Sequence, residues 1–322
     1  MMAHALPPLR VLLANPRGFC AGVVRAIDIV ERALSFNKGP VYVRHEIVHN
    51  RHVVEGLKQR GAIFVDETDK IPDGALTIFS AHGVAPSVER EAAARRLDVI
   101  DATCPLVHKV HNEGRRYAER GFDVILIGHA GHPEVEGTRG QIGGRLHVVG
   151  TLADIAALQI ADPDKVAFIT QTTLSVDDTR DLIAALRARY PTIIGPDTRD
   201  ICYATQNRQR AVKEMTRAAN LVLVIGSANS SNSNRLRELA EADGVPSYLI
   251  DGPQSLDPAW LDGVACMGLT AGASAPETLV EATLAALARW RTISVEILAG
   301  REENVVFKTP ERLLELAEGA RV

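Results

Sequence analysis

Short apolar runs alternate with amphipathic stretches along the whole chain, and this alternation leaves few folds open. Strand-like runs occupy Arg10–Ala14, Val41–Val43, Leu76–Phe79, Asp123–Ile127, Val166–Thr170, Leu221–Ile225 and Val264–Leu269. Most end in Gly, Ser, Thr, His or Asn and pass into a helical period. After Cys20, residues Val23, Ile27, Val30 and Leu34 fall on one helical face, and Ala211, Met215 and Ala218 do so after Cys202. Short apolar strands joined by amphipathic helices predict an α/β protein whose mostly parallel sheets are covered on both faces. In such sheets ligands gather at the carboxyl ends of the strands. The segment Thr292–Pro310 breaks the rhythm: it alternates like a β-hairpin and is expected to add a strand to another unit's sheet.

Three cysteines punctuate the alternation. Cys20, Cys104 and Cys202 each stand where an apolar run ends and a helix is expected to begin. Each has a polar follower at nearly constant spacing: His49 lies 29 residues after Cys20, and His132 and Ser230 lie 28 after Cys104 and Cys202. His82, Thr172 and Ser274 come later in the three segments. One αβ unit therefore occurs three times, over residues 1–100, 101–195 and 196–290, with a C-terminal extension at 291–322. Each copy aims a thiolate and two polar groups toward a shared centre.

Composition narrows the function. Net charge is −4 and the basic residues are scattered, so nothing points to nucleic acid as a partner. No run approaches the roughly 20 apolar residues of a membrane span. The start, MMAHALPPLR, lacks a signal-peptide core, and the expectation is a cytoplasmic protein. Four cysteines in 322 residues in that compartment read as buried, catalytic or metal-bound rather than disulfide-bonded. All ten histidines lie at or before His147, so the third unit offers Ser and Asn where the first two offer His.

A single cysteine would read as a small buried hydrophobe. Three at equivalent places, each at a helix start that favours the thiolate, read as ligands. Structural zinc takes four ligands with close pairs such as CxxC, which are absent. Three thiolates on an iron–sulfur cubane leave one iron open. Cys266, inside a strand-like run, reads as a core thiol. The loop GHAGHPEVEGT, residues 128–138, suits solvent at Glu136 and His129. His132 and Glu134 stand where a proton donor belongs, and crowding by negative charge would raise the carboxyl's pKa. SANSSNSNRL, residues 227–236, is a polar turn and helix cap that also gathers hydroxyls, amides and free N–H groups fit for a phosphate. Ser274 in TAGASAP, His82 in AHGVAPS, His49 in VHNRHVV, and Thr172 and Thr173 in QTTLS complete an anion pocket. Neither GxxxxGK[ST] nor GxGxxG is present, so a nucleotide is not the expected anion.

The set PRGFCAGV, VHN, AHGV, DATCPLV, GHPEVEGT, QTTLS, DICYATQNRQ, SSNSNRL and TAGASAP resembles the 4-hydroxy-3-methylbut-2-enyl diphosphate reductases, from about Val11 to about Thr283. These act last in the non-mevalonate (methylerythritol phosphate) route to isoprenoids. The resemblance implies three αβ units in a pseudo-threefold arrangement around a central cavity. It implies an oxygen-sensitive 4Fe–4S cluster on Cys20, Cys104 and Cys202, with one iron open. It also implies a diphosphate held by His49, His82, His132, Ser230, Ser231, Asn232 and Ser274. Glu134 matches the proton-delivering acid and Thr172 the hydroxyl beside it. The implied reaction is reductive dehydroxylation to isopentenyl or dimethylallyl diphosphate, with ferredoxin or flavodoxin as electron donor.

Two other classes compete. A non-catalytic iron–sulfur redox sensor binding a phosphorylated ligand needs the cysteines but has no use for Glu134 beside them. A zinc hydrolase with a three-cysteine site is separated by metal analysis.

Overall fold

The computed structural model describes residues 6–319. Residues 1–5 of the N-terminal stretch MMAHALPPLR lie outside the described residues. The chain opens with strand β1 (Pro8–Leu13) and helix α1 (Ala21–Phe36), then β2 (Val41–Arg44), α2 (Arg51–Gln59), β3 (Ala62–Val65), β4 (Leu76–Phe79), α3 (Pro86–Ala94) and β5 (Asp98–Asp101). Next come α4 (Pro105–Glu119), β6 (Asp123–Ile127), α5 (Pro133–Gln141), β7 (Leu146–Val149), α6 (Leu152–Ala157), β8 (Val166–Thr170) and α7 (Val176–Arg189). The last stretch holds α8 (Tyr203–Thr216), β9 (Leu221–Ile225), α9 (Ser231–Ala242), β10 (Ser247–Ile250), β11 (Cys266–Ala271), α10 (Glu277–Leu287), β12 (Thr292–Ile297) and α11 (Glu311–Gly319). Among the described residues no helix is long and apolar enough to cross a membrane.

The strands form three sheets, ordered β10-β9-β11-β1-β12, β3-β2-β4-β5 and β7-β6-β8, and every pairing is parallel. Alternate residues feed opposite faces, as the pleat requires. Leu221, Leu223 and Ile225 of β9 enter one core with Val11 and Leu13, while Val222 and Val224 enter another with Met215 and Leu236. In the β6 sheet, Ile125 and Ile127 face Phe168 and Leu186, and Val124 and Leu126 face Val110 and Ile142. The expected α/β architecture with sheets covered on both faces is therefore present.

The three sheets share one order: an edge strand (β3, β7, β10), a centre (β2, β6, β9), a third strand (β4, β8, β11) and a fourth. The fourth position is β5 in one sheet, β1 in another, and the single parallel bridge of Ile194 to Ala167 in the last. A cysteine follows each: Cys104 after β5, Cys202 after Ile194 and Cys20 after β1. The repeats thus close at the cysteines. The first strand completes the sheet of the last third of the chain, an exchange that a linear division does not express. By contacts, one compact unit holds residues 6–20, 49–53 and 203–305, and the other 21–48, 54–202 and 306–319.

Three local expectations change. The tail makes no hairpin: β12 is one strand, parallel to β1, and residues 298–310 add no return strand. That stretch is occupied instead by side-chain contacts, Leu298 with the core and Glu303 with Arg208. Helix α1 buries Gly22, Ala26, Ile29 and Ala33 along with Val23 and Val30, leaving Ile27 and Leu34 half-buried. Small residues set that face because they permit close approach, which an apolar-periodicity count does not weigh. The helix α8 ends at Thr216, short of Ala218, which is exposed while Ala219 is buried.

Candidate active site

Each of the three cysteines directly precedes a helix: Cys20 before α1, Cys104 as the N-cap of α4, and Cys202 before α8. All three are half-buried, and no cysteine is disulfide-bonded. One hydrogen bond recurs at each. The amides of Cys20, Cys104 and Cys202 donate to the carbonyls of Ala273 (3.1 Å), Ala81 (3.0 Å) and Thr172 (3.0 Å). The residue after each acceptor is Ser274, His82 or Thr173. Sequence spacing had aligned Thr172 with His82 and Ser274; the hydrogen-bond register aligns Thr173 with them and turns Thr172 toward a different partner. A second bond also recurs. The amides of His45, Gly128 and Gly226 donate to edge-strand carbonyls of Val65, Val149 and Ile250. Four residues beyond each stand His49, His132 and Ser230.

In the larger unit, His132 caps α5 and Pro133 fills the first helical position. His132 Nδ1 accepts the Glu134 amide at 3.1 Å, which leaves the ring proton on Nε2 as a donor. Glu134 is 3% exposed. Its Oε1 accepts the Thr172 amide at 2.7 Å and its Oε2 the Thr172 hydroxyl at 2.9 Å. Burial pushes this carboxyl up to about 7; the two Thr172 bonds oppose the rise, and nearby Asp200 adds to it. Because Thr172 also receives the Cys202 amide, acid and thiol hang from one loop. His82 lies edge-on to His132, ring centroids 6.0 Å apart, with Ser80 Oγ 3.2 Å from its Nδ1. The two come together because α5 rides on the loop after His82. A β-carbon on Gly140 would collide with Ala85, and one on Gly137 would sit 3.0 Å from the Gly83 carbonyl.

The smaller unit gathers the other candidates. Ser274 Oγ donates to the His49 carbonyl at 2.8 Å, and Asn229 reaches within 3.5 Å of His49 Nδ1. Asn232 Oδ1 accepts the Ala273 amide at 2.9 Å, beside Ser274. Ser230 caps α9, accepting the Ser233 amide at 3.3 Å, so the bland reading of this motif holds as well. Ser231 and Asn232 follow in the first turn, where the helix N-terminus favours an anion.

The donors present fit an iron–sulfur cluster. Three soft sulfur donors sit at helix starts, in equivalent frames, with their amides pinned. Asp200 and Arg208 were not singled out from the sequence. Asp200, 3% exposed, pairs with Lys109 at 3.1 Å, and burial raises its carboxyl despite that partner. Arg208 is fully buried. A signal existed for it: a charge at the position between Ala204 and Val212 on the buried stripe of α8.

Cys266 lies in β11 and packs with Val222, Met215 and Leu236. Cys266→Ala is therefore expected to leave iron content unchanged and to cost about 1 kcal/mol of stability, read by iron assay and urea unfolding of cluster-free protein. Loss of iron would reassign the ligands.

Residues 11–288 match the family described as LytB protein. The chain is 61% identical over 303 residues to 4-hydroxy-3-methylbut-2-enyl diphosphate reductase 1 of Rhodopseudomonas palustris, covering 94% of this chain and 99% of that protein. It resembles the solved E-1-hydroxy-2-methyl-but-2-enyl-4-diphosphate reductase of Plasmodium falciparum with a TM-score of 0.92 and 35% identity, across 99% of this chain and 100% of that one. A second solved structure, (E)-4-hydroxy-3-methyl-but-2-enyl diphosphate reductase, is titled the terminal enzyme of the non-mevalonate pathway. It matches with a TM-score of 0.62 and 32% identity over 87% of this chain and 99% of that one. The family match spans all three cysteines, both recurring hydrogen-bond frames and the buried acid, and on that footing the chain belongs to the LytB family.

Proposed function

We propose that this chain is a 4-hydroxy-3-methylbut-2-enyl diphosphate reductase. It removes the substrate's hydroxyl as water, with two electrons and two protons, to give isopentenyl or dimethylallyl diphosphate, the last step of the methylerythritol phosphate pathway. The observation that carries this reading is Glu134: a buried carboxyl with its pKa at about 7, held by a threonine whose carbonyl also anchors Cys202. A redox sensor has no use for such an acid.

Cys20, Cys104 and Cys202 would hold a 4Fe–4S cluster, which when bound supplies single electrons and a Lewis-acidic open iron. The rest is done by side chains. Near neutral pH a large share of Glu134 carries its proton, which it gives to the departing hydroxyl oxygen. The Thr172 hydroxyl and amide fix the carboxyl's direction. His132, through Nε2–H, with His82 and Thr173 forms one half of a diphosphate clamp. His49, Ser230, Ser231, Asn232 and Ser274 form the other. Binding the diphosphate, remote from the reacting carbon, orients the hydroxyl and supports the chemistry. The electron donor is a ferredoxin or flavodoxin, and the protein works in the cytoplasm, where thiols stay reduced.

The test is iron and sulfide content with Mössbauer spectra on anaerobically purified protein, with and without substrate. A 4Fe–4S signal with one distinct iron that responds to substrate supports the reading. Zinc, or no metal after reconstitution, overturns it.

A further inference from the structure

The helices that follow the cysteines carry a second recurring device. Arg25 stands five residues after Cys20; its Nη1 donates to the carbonyls of Ala102 (3.3 Å) and Thr103 (3.1 Å), immediately ahead of Cys104. Lys109 stands five after Cys104; its Nζ reaches the Arg199 carbonyl (3.5 Å) and Asp200 Oδ1 (3.1 Å), just ahead of Cys202. Arg208 stands six after Cys202; its Nη2 donates to the carbonyls of Gly18 (2.7 Å) and Phe19 (3.5 Å), and its Nε to Gly18 (3.1 Å), immediately ahead of Cys20. The pattern closes on itself: each cysteine's helix holds the backbone leading to the next cysteine.

We propose that Arg25, Lys109 and Arg208 are positioning residues for the three thiols, each fixing the approach to a cysteine in another repeat. This rests on the reading of those thiols as cluster ligands. Chemistry favours cations here. A guanidinium or ammonium donates to several carbonyls at once and offers positive charge where thiolates stand. Arg25 is near enough to Cys104 for the thiolate's charge to act on it, although burial dominates and lowers its pKa.

The C-terminal segment strengthens two of the three. Glu303 takes Arg208 Nη1 on both oxygens, at 3.1 and 3.2 Å, and Asn207 Nδ2 at 2.9 Å. The Lys308 carbonyl takes Arg25 Nε at 2.8 Å. The same segment lies against the Cys20 loop: the Leu298 amide donates to the Leu13 carbonyl at 2.9 Å, and Gly300 sits so close to the Asn15 carbonyl that no side chain fits. Lys109 lacks this backing, and its side chain is 50% exposed. The three clamps therefore rank Arg208, Arg25, Lys109 in strength.

Arg25→Met, Lys109→Met and Arg208→Met separate the idea from general destabilisation, with Arg217→Met in the exposed turn after α8 as control and Arg208→Lys should Arg208→Met fail to fold. Amide exchange in cluster-free protein should rise ahead of Cys104, Cys202 and Cys20 respectively, and not at the other two loops. Iron release to a chelator under anaerobic conditions should quicken about tenfold or more for Arg208 and Arg25, the worth of a lost charge-assisted bond, and a few-fold for Lys109. Exchange that is unchanged, or raised equally at all three loops, overturns the clamps. Exchange confined as expected with iron release equal to the control overturns their role toward the cluster. A parent protein that takes up no iron counts against the proposed function, and exchange alone then decides the clamps.

Discussion

Glu134→Gln should lower turnover by about two to four orders of magnitude, the worth of a positioned general acid, with iron content and diphosphate affinity unchanged. Glutamine keeps the shape of the site: its oxygen still accepts the Thr172 amide, and its –NH2 meets the Thr172 hydroxyl. Only the transferable proton is lost. Near-normal turnover would remove Glu134 as the acid. A second readout needs no chemistry. The carboxyl's pKa rises from an ordinary 4.5 to about 7 in the folded chain, so between those values the folded state holds a proton that the unfolded state releases. Wild-type stability must then fall as pH rises through that window, and the loss is complete above about pH 7. Glutamine has no proton to hold. At pH 8 the variant should gain up to about 3 kcal/mol on wild type relative to their difference at pH 4, from 1.36 kcal/mol per pKa unit. Urea unfolding of cluster-free protein at the two pH values measures this. A pH-independent difference would show that the carboxyl is not raised.

Cys104→Ser should abolish the cluster and with it all turnover, iron falling from about four per chain to below one. Serine is a hard, weakly acidic ligand in place of a soft thiolate. The local structure makes this substitution discriminating. Cys104 is the N-cap of α4 with backbone angles suited to a cap, yet its side chain makes no capping bond. Serine there can cap the free amides of the first turn, worth about 1 kcal/mol. The cluster-free variant should therefore unfold at the same or a slightly higher temperature than cluster-free wild type. Retention of full iron and activity would contradict a ligand role. Loss of stability in the cluster-free form would mean that the cysteine serves the fold.

Most of the strands legible in the sequence are those buried on both sides. β4, β6, β8, β9 and β11 are buried at every residue, and their apolar runs stand out. β3, β5, β7 and β10 went unseen. Each is an edge strand of four residues with mixed burial, so an Asp, His or Ser interrupts the pattern or an adjoining turn blurs it. The place of β1 was hidden for another reason: partnership between strands more than 250 residues apart leaves no mark in local periodicity. At the site, spacing found the cysteines and their followers because the repeat preserves loop length. It could not show that Glu134 is buried or what holds it, nor the one-residue offset that puts Thr173 in the frame of His82. Asp200 and Arg208 lie beside motifs that were recognised, but their importance comes from burial, which a polar residue in a loop or on a helix does not advertise.

The position of β1 between β11 and β12 bears on how the protein is made. Strand β1 leaves the ribosome some 250 residues ahead of both its neighbours, at residues 266–271 and 292–297. Its apolar side chains, Leu9, Val11, Leu12 and Leu13, find their final cover only after those strands are made. Until then the nascent chain carries an unpaired apolar strand, the kind of edge that recruits other chains. A chain cut short before Cys266 can never shelter it.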